Sequence, residues 1–216
     1  ILQLKFLIQK LFFINSINKA EKVIFISKTS KKQIFTYLKN KHIKYKIIPH
    51  GVISNKFSRK NFNFKKKIKL LCVSKIDFYK NQFIILKAIK ILIDQGFNVK
   101  LKLIGSNFKS ALKEIEKNII DLNLKNNVEI KNELNFKQIN HEYKNSNIHI
   151  SPSICESFGI TVIESGNHSL PSICSDIDIF KEITKNKVFF FDPFDELDLV
   201  NNIKRIIKNK IERKNK

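Results

Sequence analysis

Short apolar runs alternate with amphipathic segments along most of the chain. The apolar runs predict strands at 23–27, 45–48, 68–74, 99–105, 127–130, 148–150, 171–174 and 188–191. Apolar positions three and four residues apart predict helices at 1–20, 28–39, 82–95, around 112–122, 136–143, 160–167, within 175–184 and at about 195–208. Strands that are apolar almost throughout, alternating with helices, are typical of a parallel sheet covered on both faces. The pattern therefore predicts an α/β fold with a doubly wound parallel sheet.

Two carboxylates, with seven residues between them, lie in the loop and the helix that follow the predicted strand at 148–150. Glu156 lies in the loop and Glu164 lies one turn into the helix. Ligands of such sheets bind in the crevice at the carboxyl ends of the strands. Gly159 allows the backbone to approach a ligand closely, and the free N–H groups of a helix start favour a phosphate. This arrangement indicates a nucleotide-linked ligand, with one carboxylate accepting hydrogen bonds from ribose hydroxyls.

A second cluster of candidate ligand contacts follows the strand at 68–74. Lys75 and Lys80 lie between this strand and the next helix. Cations at a helix start after a strand suit the binding of two phosphates. The alternative is a solvated charged loop. The sequence contains neither the P-loop pattern nor the glycine pattern of dinucleotide-binding folds, so those sites are not supported.

The segment Pro-Ser-Ile-Cys-Glu-Ser-Phe-Gly at 152–159, followed by Glu164, resembles the E-x7-E signature of retaining glycosyltransferases of the GT-B fold. The spacing of two glutamates arises by chance in many helical proteins, but the surrounding residues and the strand at 171–174 also match. Pro49–Val52, Lys75–Asn81 and Ile179–Ile183 resemble further elements of glycosyltransferase family 4, the glycosyl transferases group 1, which includes sucrose- and mannose-transferring enzymes. The similarity covers nearly the whole chain. It implies a Rossmann-like sheet, the C-terminal half of a GT-B fold.

The resemblance implies where a nucleotide-diphosphate sugar would bind. Lys80 and Lys75 would meet the diphosphate, together with the turn and helix start formed by Phe158, Gly159, Ile160 and Thr161. Cations and amides would then offset the charge of the leaving diphosphate without a metal.

Other positions would contact the sugar and the nucleoside. Glu164 would bind the ribose hydroxyls, and Glu156 would lie beside the donor sugar as the catalytic candidate. The backbone from Ile130 to Glu133 would contact the base. His50 is either a ligand contact or a polar turn residue, and Glu182 is interpreted as structural.

The implied function is transfer of a hexosyl group from a UDP- or GDP-sugar to a glycan or lipid-linked acceptor, as in cell-envelope polysaccharide biosynthesis. The implied domains are 1–22, the end of a truncated acceptor domain, 23–208, the donor-binding domain, and 209–216, a polar tail. The chain begins with Ile1 and contains no methionine, so we expect either a fragment of a larger protein or a start assigned late. The isolated chain is expected to bind donor but hardly to react.

Four positions depart from the family pattern. Ser74, Lys75, Asn132 and Ser169 stand where the family commonly has Gly, Arg, Gly and Gly. Lys75 cannot grip two phosphate oxygens as a planar guanidinium does, so weaker donor affinity is expected. The alternative function is therefore a catalytically inactive nucleotide-sugar-binding fragment or scaffold.

The formal net charge of +22 suggests a polyanionic partner, but the composition weakens that interpretation. Three of the 41 cationic residues are arginine, the residue that base recognition and phosphate clamping favour. Lysine, asparagine, isoleucine and phenylalanine are abundant while alanine, glycine and proline are scarce, as an AT-rich coding sequence produces. No specific nucleic acid is predicted. Contact with an anionic membrane surface is the main alternative role for the charge, and nucleic-acid binding driven by charge is a further, less favoured alternative.

The cysteines indicate a reducing compartment, and the spacing of the histidines predicts no metal site. Cys72, Cys155 and Cys174 form no C-x-x-C pair, and two of them lie in predicted buried strands. The five histidines have no metal-ligand spacing. No apolar stretch is long enough to predict a transmembrane helix. A cytoplasmic location is expected, with the inner face of the plasma membrane as an alternative.

Overall fold

The computed structural model describes residues 2–38, 42–52 and 67–214, and the chain divides into two compact units, Ile1–Gly51 and Val52–Lys216. The first unit contains helix α1 (Leu2–Lys19), strand β1 (Val23–Phe25), helix α2 (Lys28–Phe35) and strand β2 (Tyr45–Ile47). The two strands pair in parallel. The Ser27 hydroxyl caps α2 by accepting a hydrogen bond from the Ser30 N–H at 2.9 Å. The assignment of 23–208 as the donor-binding domain stays a prediction.

The second unit alternates strands and helices. Its strands are β3 (Ile68–Val73), β4 (Val99–Ile104), β5 (Val128–Lys131), β6 (Ile148–Ser151), β7 (Ser172–Ser175) and β8 (Phe189–Phe191). Its helices are α3 (Gln82–Asp94), α4 (Lys109–Asp121), α5 (Phe136–Asn145), α6 (Ile160–Asn167), α7 (Asp178–Thr184) and α8 (Glu196–Lys214), with a short 3-10 helix at Phe78–Lys80. The predicted α/β class is thereby confirmed.

The six strands of this unit form one parallel sheet in the order β5-β4-β3-β6-β7-β8. The chain moves outward from β3 to β4 and β5, then returns to β6 on the other side of β3 and continues outward to β8. Right-handed crossovers therefore place α3 and α4 on one face of the sheet and α6 and α7 on the other. The order reverses between β3 and β6, and the carboxyl ends of these two strands flank the crevice where such sheets bind ligands.

The core is an apolar layer between the sheet and its helices. The β3 and β4 side chains Leu70, Leu101 and Leu103 are buried against helical residues that include Ile85 and Ile203. A smaller cluster of Val162, Cys174, Ile179 and Phe180 joins α6 and α7 to β7. Burial of strands on both faces explains why their sequences are almost continuously apolar.

Several element ends differ from the sequence-based expectation. The helix predicted to end near Lys208 continues to Lys214. The helix predicted over 28–39 ends at Phe35, because the Thr36 N–H bonds the carbonyl of Gln33 and closes the last turn tightly. Residue 39 and residues 54–66 of the predicted loop lie outside the described residues.

Candidate functional site

The loops that follow β3 and β6 are joined at the carboxyl edge of the sheet. The Ile154 N–H donates to the carbonyl of Tyr79 at 2.9 Å, which ties the β6 loop to the 3-10 helix. Asn81, in the left-handed conformation with φ 53°, separates that short helix from α3 and donates through Nδ2 to the Pro193 carbonyl at 2.8 Å. These bonds fix the rims of the crevice between β3 and β6.

Lys80 and Glu156 meet in this crevice as an ion pair. The Lys80 ammonium donates to Glu156 Oε1, and the Ser153 hydroxyl donates to the same oxygen at 3.0 Å. Their side chains are 13% and 14% exposed, respectively. Removing either partner would leave the other charge uncompensated and largely shielded from water. The structure thus brings together two residues that the sequence placed in one site.

Lys75 has a different partner. Its ammonium lies 2.9 Å from Asp77 Oδ2 and 5.6 Å from the centroid of the Phe108 ring, and its side chain is 42% exposed. The hydrogen bond to Asp77 raises the pKa of Lys75 above its ordinary value. Lys75 therefore remains a cation, but it contacts Asp77 instead of the Lys80–Glu156 pair.

The departure from the family pattern at Ser74 is accommodated by local hydrogen bonds. The buried Gln82 amide donates to the Ser74 hydroxyl at 2.9 Å and to the Lys75 carbonyl at 2.8 Å. Gln82 begins α3 and thus fixes the turn after β3. Neither bond was predicted, since Gln82 shows no sequence pattern that distinguishes it from a surface residue.

The start of α6 has the geometry expected of an anion-binding helix end. Gly159 is its N-cap with φ 84°, a conformation that favours glycine. A Cβ added at Gly159 would lie 2.6 Å from Cε1 of the buried Phe180 ring. The N–H groups of Ile160 and Thr161 begin the helix, where backbone donors lack intrahelical partners. Phe158 is buried behind this turn, so it supports the loop instead of facing solvent.

Glu164 lies on α6 and is bound to α5. Its Oε2 accepts a hydrogen bond from the hydroxyl of Tyr143 at 2.9 Å. Glu156 and Glu164 therefore have separate protein partners, one in the β3 loop and one on α5. Tyr143 was not among the predicted site residues, and its position 21 residues before Glu164 gave no signal.

Ile130 lies on the edge strand β5, with β4 between it and β3. It is half-buried and packs against the main core. The following residue, Lys131, accepts a hydrogen bond from the Gly105 N–H at 3.1 Å through its carbonyl. The predicted base contact is thus at the same carboxyl edge as the crevice but apart from the Lys80–Glu156 pair.

Two cavities are lined by neither Lys80 nor Glu156. One, of about 410 Å³, opens at the amino ends of β3, β4 and β5 and is lined by residues that include Lys69, Lys100, Lys102 and Glu142. Glu142 is nearly buried there and pairs with Lys102 at 2.7 Å and Lys131 at 2.8 Å, so much of the charge is balanced internally. The other, of about 480 Å³, lies at the carboxyl ends of β7 and β8.

The part of the chain that the structure describes contains no group of three or more metal-ligating side chains. None of its helices is long and apolar enough to cross a membrane. Cys72 and Cys174 are buried free thiols, whereas Cys155, beside Glu156, is exposed.

The parallel six-stranded sheet flanked by helices is an α/β fold that matches solved GT-B glycosyltransferase structures. The family model of glycosyl transferases group 1 matches residues 54–216. The chain belongs to the glycosyl transferases group 1 family.

The chain is also similar to two curated proteins. It is 27% identical over 202 residues to Protein CapJ of Staphylococcus aureus, covering 91% of this chain and 49% of CapJ. It is 28% identical over 203 residues to the O-antigen chain mannosyltransferase RfbU of Salmonella typhimurium, covering 92% of this chain and 56% of RfbU. The chain thus spans about half the length of these relatives.

Among solved structures, the chain resembles Anabaena HepE, whose crystal structure is in complex with UDP-glucose. The TM-score is 0.81 at 18% identity, and the match covers 93% of this chain and 58% of HepE. At this identity the likeness shows a shared fold.

Proposed function

We propose that this chain is the donor-binding half of a retaining glycosyltransferase that moves a hexosyl group from a UDP- or GDP-sugar to a glycan or lipid-linked acceptor. The observation that carries the proposal is the Lys80–Glu156 ion pair in the crevice between β3 and β6, beside the start of α6. Membership of the glycosyl transferases group 1 family supports it, as does the fold shared with HepE, which binds UDP-glucose.

Lys80 is the proposed diphosphate contact. Its ammonium pairs with Glu156, and both side chains are largely removed from water. A diphosphate supplies a stronger anionic partner, because charge-assisted hydrogen bonds to phosphate oxygens are short and strong. Binding of the donor therefore transfers Lys80 from the carboxylate to the phosphates and frees Glu156 for the sugar.

The start of α6 supplies further donors to the same phosphates. The N–H groups from Gly159 to Thr161 point out of the helix, where the macrodipole favours negative charge. Lys75 joins them by exchanging Asp77 for phosphate, a movement that its exposure of 42% allows. Together these cations and amides stabilise the charge that builds on the leaving diphosphate, and no metal is required.

Glu156 is proposed to act on the donor sugar. Its carboxylate, held by Ser153 at 3.0 Å, accepts hydrogen bonds from sugar hydroxyls or supports positive charge near the anomeric carbon. We do not assign it as the nucleophile of a covalent intermediate. Glu164 binds the ribose hydroxyls, and the backbone near Ile130 contacts the base.

The acceptor site is proposed to belong to the remainder of a longer protein. The chain spans about half of its curated relatives, and the resemblance to GT-B enzymes implies an acceptor half in addition to the donor-binding half. A cytoplasmic enzyme of cell-envelope polysaccharide synthesis, in contact with the inner face of the plasma membrane, fits the abundance of lysine.

A second candidate is nucleotide-sugar binding without turnover. The pairing of Lys75 with Asp77 favours this candidate. Lys75 stands where the family commonly has an arginine that binds phosphate, and its ammonium is paired with a carboxylate of the protein instead.

Calorimetric titration of the chain with UDP-glucose, GDP-mannose and ADP-glucose tests the proposal. We expect saturable binding of a UDP- or GDP-sugar and weaker binding of the others. Absence of binding by all three would overturn the donor-binding function. Slow hydrolysis of the bound donor favours the enzyme, whereas binding with no hydrolysis, also in the full-length protein, favours the second candidate.

A further inference from the structure

Tyr143 joins α5 to the predicted ribose-binding residue on α6. Its hydroxyl donates to Glu164 Oε2 at 2.9 Å and lies 3.4 Å from the Thr161 carbonyl. The single hydroxyl proton makes its stronger bond to the closer, charged acceptor. Tyr143 is 1% exposed, so this bond is protected from competing water on the tyrosine side.

The Tyr143 ring is held in place on more than one side. It stacks on His168 with centroids 5.2 Å apart and an interplanar angle of 16°. His168 Nε2 in turn lies 2.8 Å from Asn140 Oδ1 on α5. The ring of His149 lies 6.0 Å away at a tilt of 58°. A ring packed in this way keeps its hydroxyl at one position.

Helix α5 is itself anchored independently of the ligand. Glu142, the neighbour of Tyr143, pairs with Lys102 of β4 and Lys131 of β5 at 2.7 and 2.8 Å. Burial alone would raise the pKa of Glu142, but the hydrogen bonds from these lysines lower it, so the carboxylate stays charged. The position of the phenol is thus set by the sheet.

A half-buried glutamate on a helix has several rotamers, and an oriented donor selects one of them. Tyr143 occupies Oε2 and leaves Oε1 for a hydroxyl of the ligand. Burial, followed by the nearby charge of Glu164, raises the pKa of Tyr143 well above its ordinary value. The phenol therefore remains a neutral donor at physiological pH.

We propose that Tyr143 is a positioning residue that fixes the Glu164 carboxylate against the ribose and so sets the preference for ribonucleotides over deoxyribonucleotides. This inference rests on the proposed function, because it requires Glu164 to bind the ribose. Tyr143 itself does not touch the ligand.

The test compares dissociation constants of UDP and GDP with those of their 2′-deoxy and 3′-deoxy forms by calorimetry. We expect the wild-type chain to prefer the ribonucleotide by about tenfold or more, as for a hydrogen bond to a charged group. Tyr143→Phe should reduce this preference about fivefold while the affinity for the deoxynucleotide stays nearly unchanged. Glu164→Ala should abolish the preference, and Tyr143→Phe should add nothing in that background. Tyr37→Phe, which removes a hydroxyl from an exposed ring, is the matched control.

The outcomes separate the two claims. Loss of the preference in Glu164→Ala but not in Tyr143→Phe overturns the role of Tyr143 and leaves the proposed function standing. An equal loss of affinity for both nucleotides in Tyr143→Phe shows a merely structural residue and also overturns it. A preference that survives Glu164→Ala defeats the ribose assignment itself. Should Tyr143→Phe not fold, 4-fluorophenylalanine at this position fills the volume of the hydroxyl without donating; it must lower the preference as Tyr143→Phe would, and an unchanged ratio contradicts the inference.

Discussion

The ammonium of Lys80 contacts the carboxylate of Glu156 across the β3–β6 crevice, although 76 residues separate them in sequence. Strand order explains the meeting, since β3 and β6 are neighbours and their carboxyl ends lie side by side. The pair occupies the place where the proposed donor diphosphate would bind. Each residue of the pair compensates the charge of the other.

Cys155 provides a chemical probe of this crevice. It is exposed next to Glu156, whereas burial raises the pKa of Cys72 to about 12 and also raises that of Cys174. Iodoacetamide should therefore alkylate Cys155 in the native chain and spare the other two cysteines. A bound UDP- or GDP-sugar should slow this reaction several-fold, as followed by mass spectrometry. Equal rates with and without a ligand that calorimetry shows to be bound would contradict the site.

Gly159→Ala should destabilise the protein and weaken donor binding. The new Cβ would meet Phe180 at 2.6 Å in addition to the strain of φ 84°. Gly96 is a matched control, because it has φ 83° but no atom within 4 Å of an added Cβ. We expect a loss of about 1 kcal/mol for Gly96→Ala and about 3 kcal/mol for Gly159→Ala in urea unfolding. Equal losses would show that contact with Phe180 does not matter.

Ser169→Gly should stabilise the protein. Ser169 follows α6 with φ 53°. At this helix end the Ser169 N–H donates to the Gly166 carbonyl, and the Leu170 N–H donates to the Ser165 carbonyl. This is the left-handed helix end at which glycine carries no steric cost. Restoring the glycine common in the family should increase the free energy of unfolding by about 1 kcal/mol. A lower midpoint of urea unfolding would mean that the serine side chain stabilises the fold by more than its backbone strain destabilises it.

His149 should make folding sensitive to acid. Burial lowers its pKa from 6.5 to about 3, and neither ring nitrogen has a hydrogen-bond partner in the described part of the chain. Between these values the unfolded chain binds the proton and the folded chain does not. Stability therefore falls as pH decreases from about 6.5 towards 3, by about 1.4 kcal/mol per pH unit.

The check is urea unfolding at pH 7.5 and 5.5, above the range in which most carboxylates titrate. The wild-type chain should lose about 1.4 kcal/mol more than His149→Phe between these conditions. Shared histidines cancel in the comparison. The same loss in both proteins would show that His149 is protonated in the native state.

The sheet was predictable because its strands are buried on both faces. Runs such as Ile68–Val73 admit few charged residues, and the helix start at Gly159 was marked by a glycine after a short loop. The class of fold and the bounds of α6 therefore followed from the sequence. The end of α2 at Phe35 depends on which carbonyl accepts the hydrogen bond of the Thr36 N–H. The pattern of apolar and polar residues does not specify that acceptor.

The partners of the site residues were less predictable. The sequence placed Lys75 and Lys80 in one phosphate site, but Lys75 pairs with Asp77 while Lys80 pairs with Glu156. The choice depends on the 3-10 helix Phe78–Lys80, which ends at Lys80 and was not predicted. The bond from Tyr143 to Glu164 arises from tertiary packing of α5 on α6, and no spacing in the sequence encodes it.

The most direct measurement is the affinity of Lys80→Ala for UDP and GDP, compared with Lys90→Ala, at 50 and 200 mM salt. Lys90 is a matched control, because it forms an ion pair with Asp94 on the surface of α3. We expect Lys80→Ala to lower the affinity about 10- to 100-fold and to make it depend less on salt, and Lys90→Ala to leave it unchanged. A folded Lys80→Ala chain that binds both nucleotides as tightly as the wild type would contradict the account.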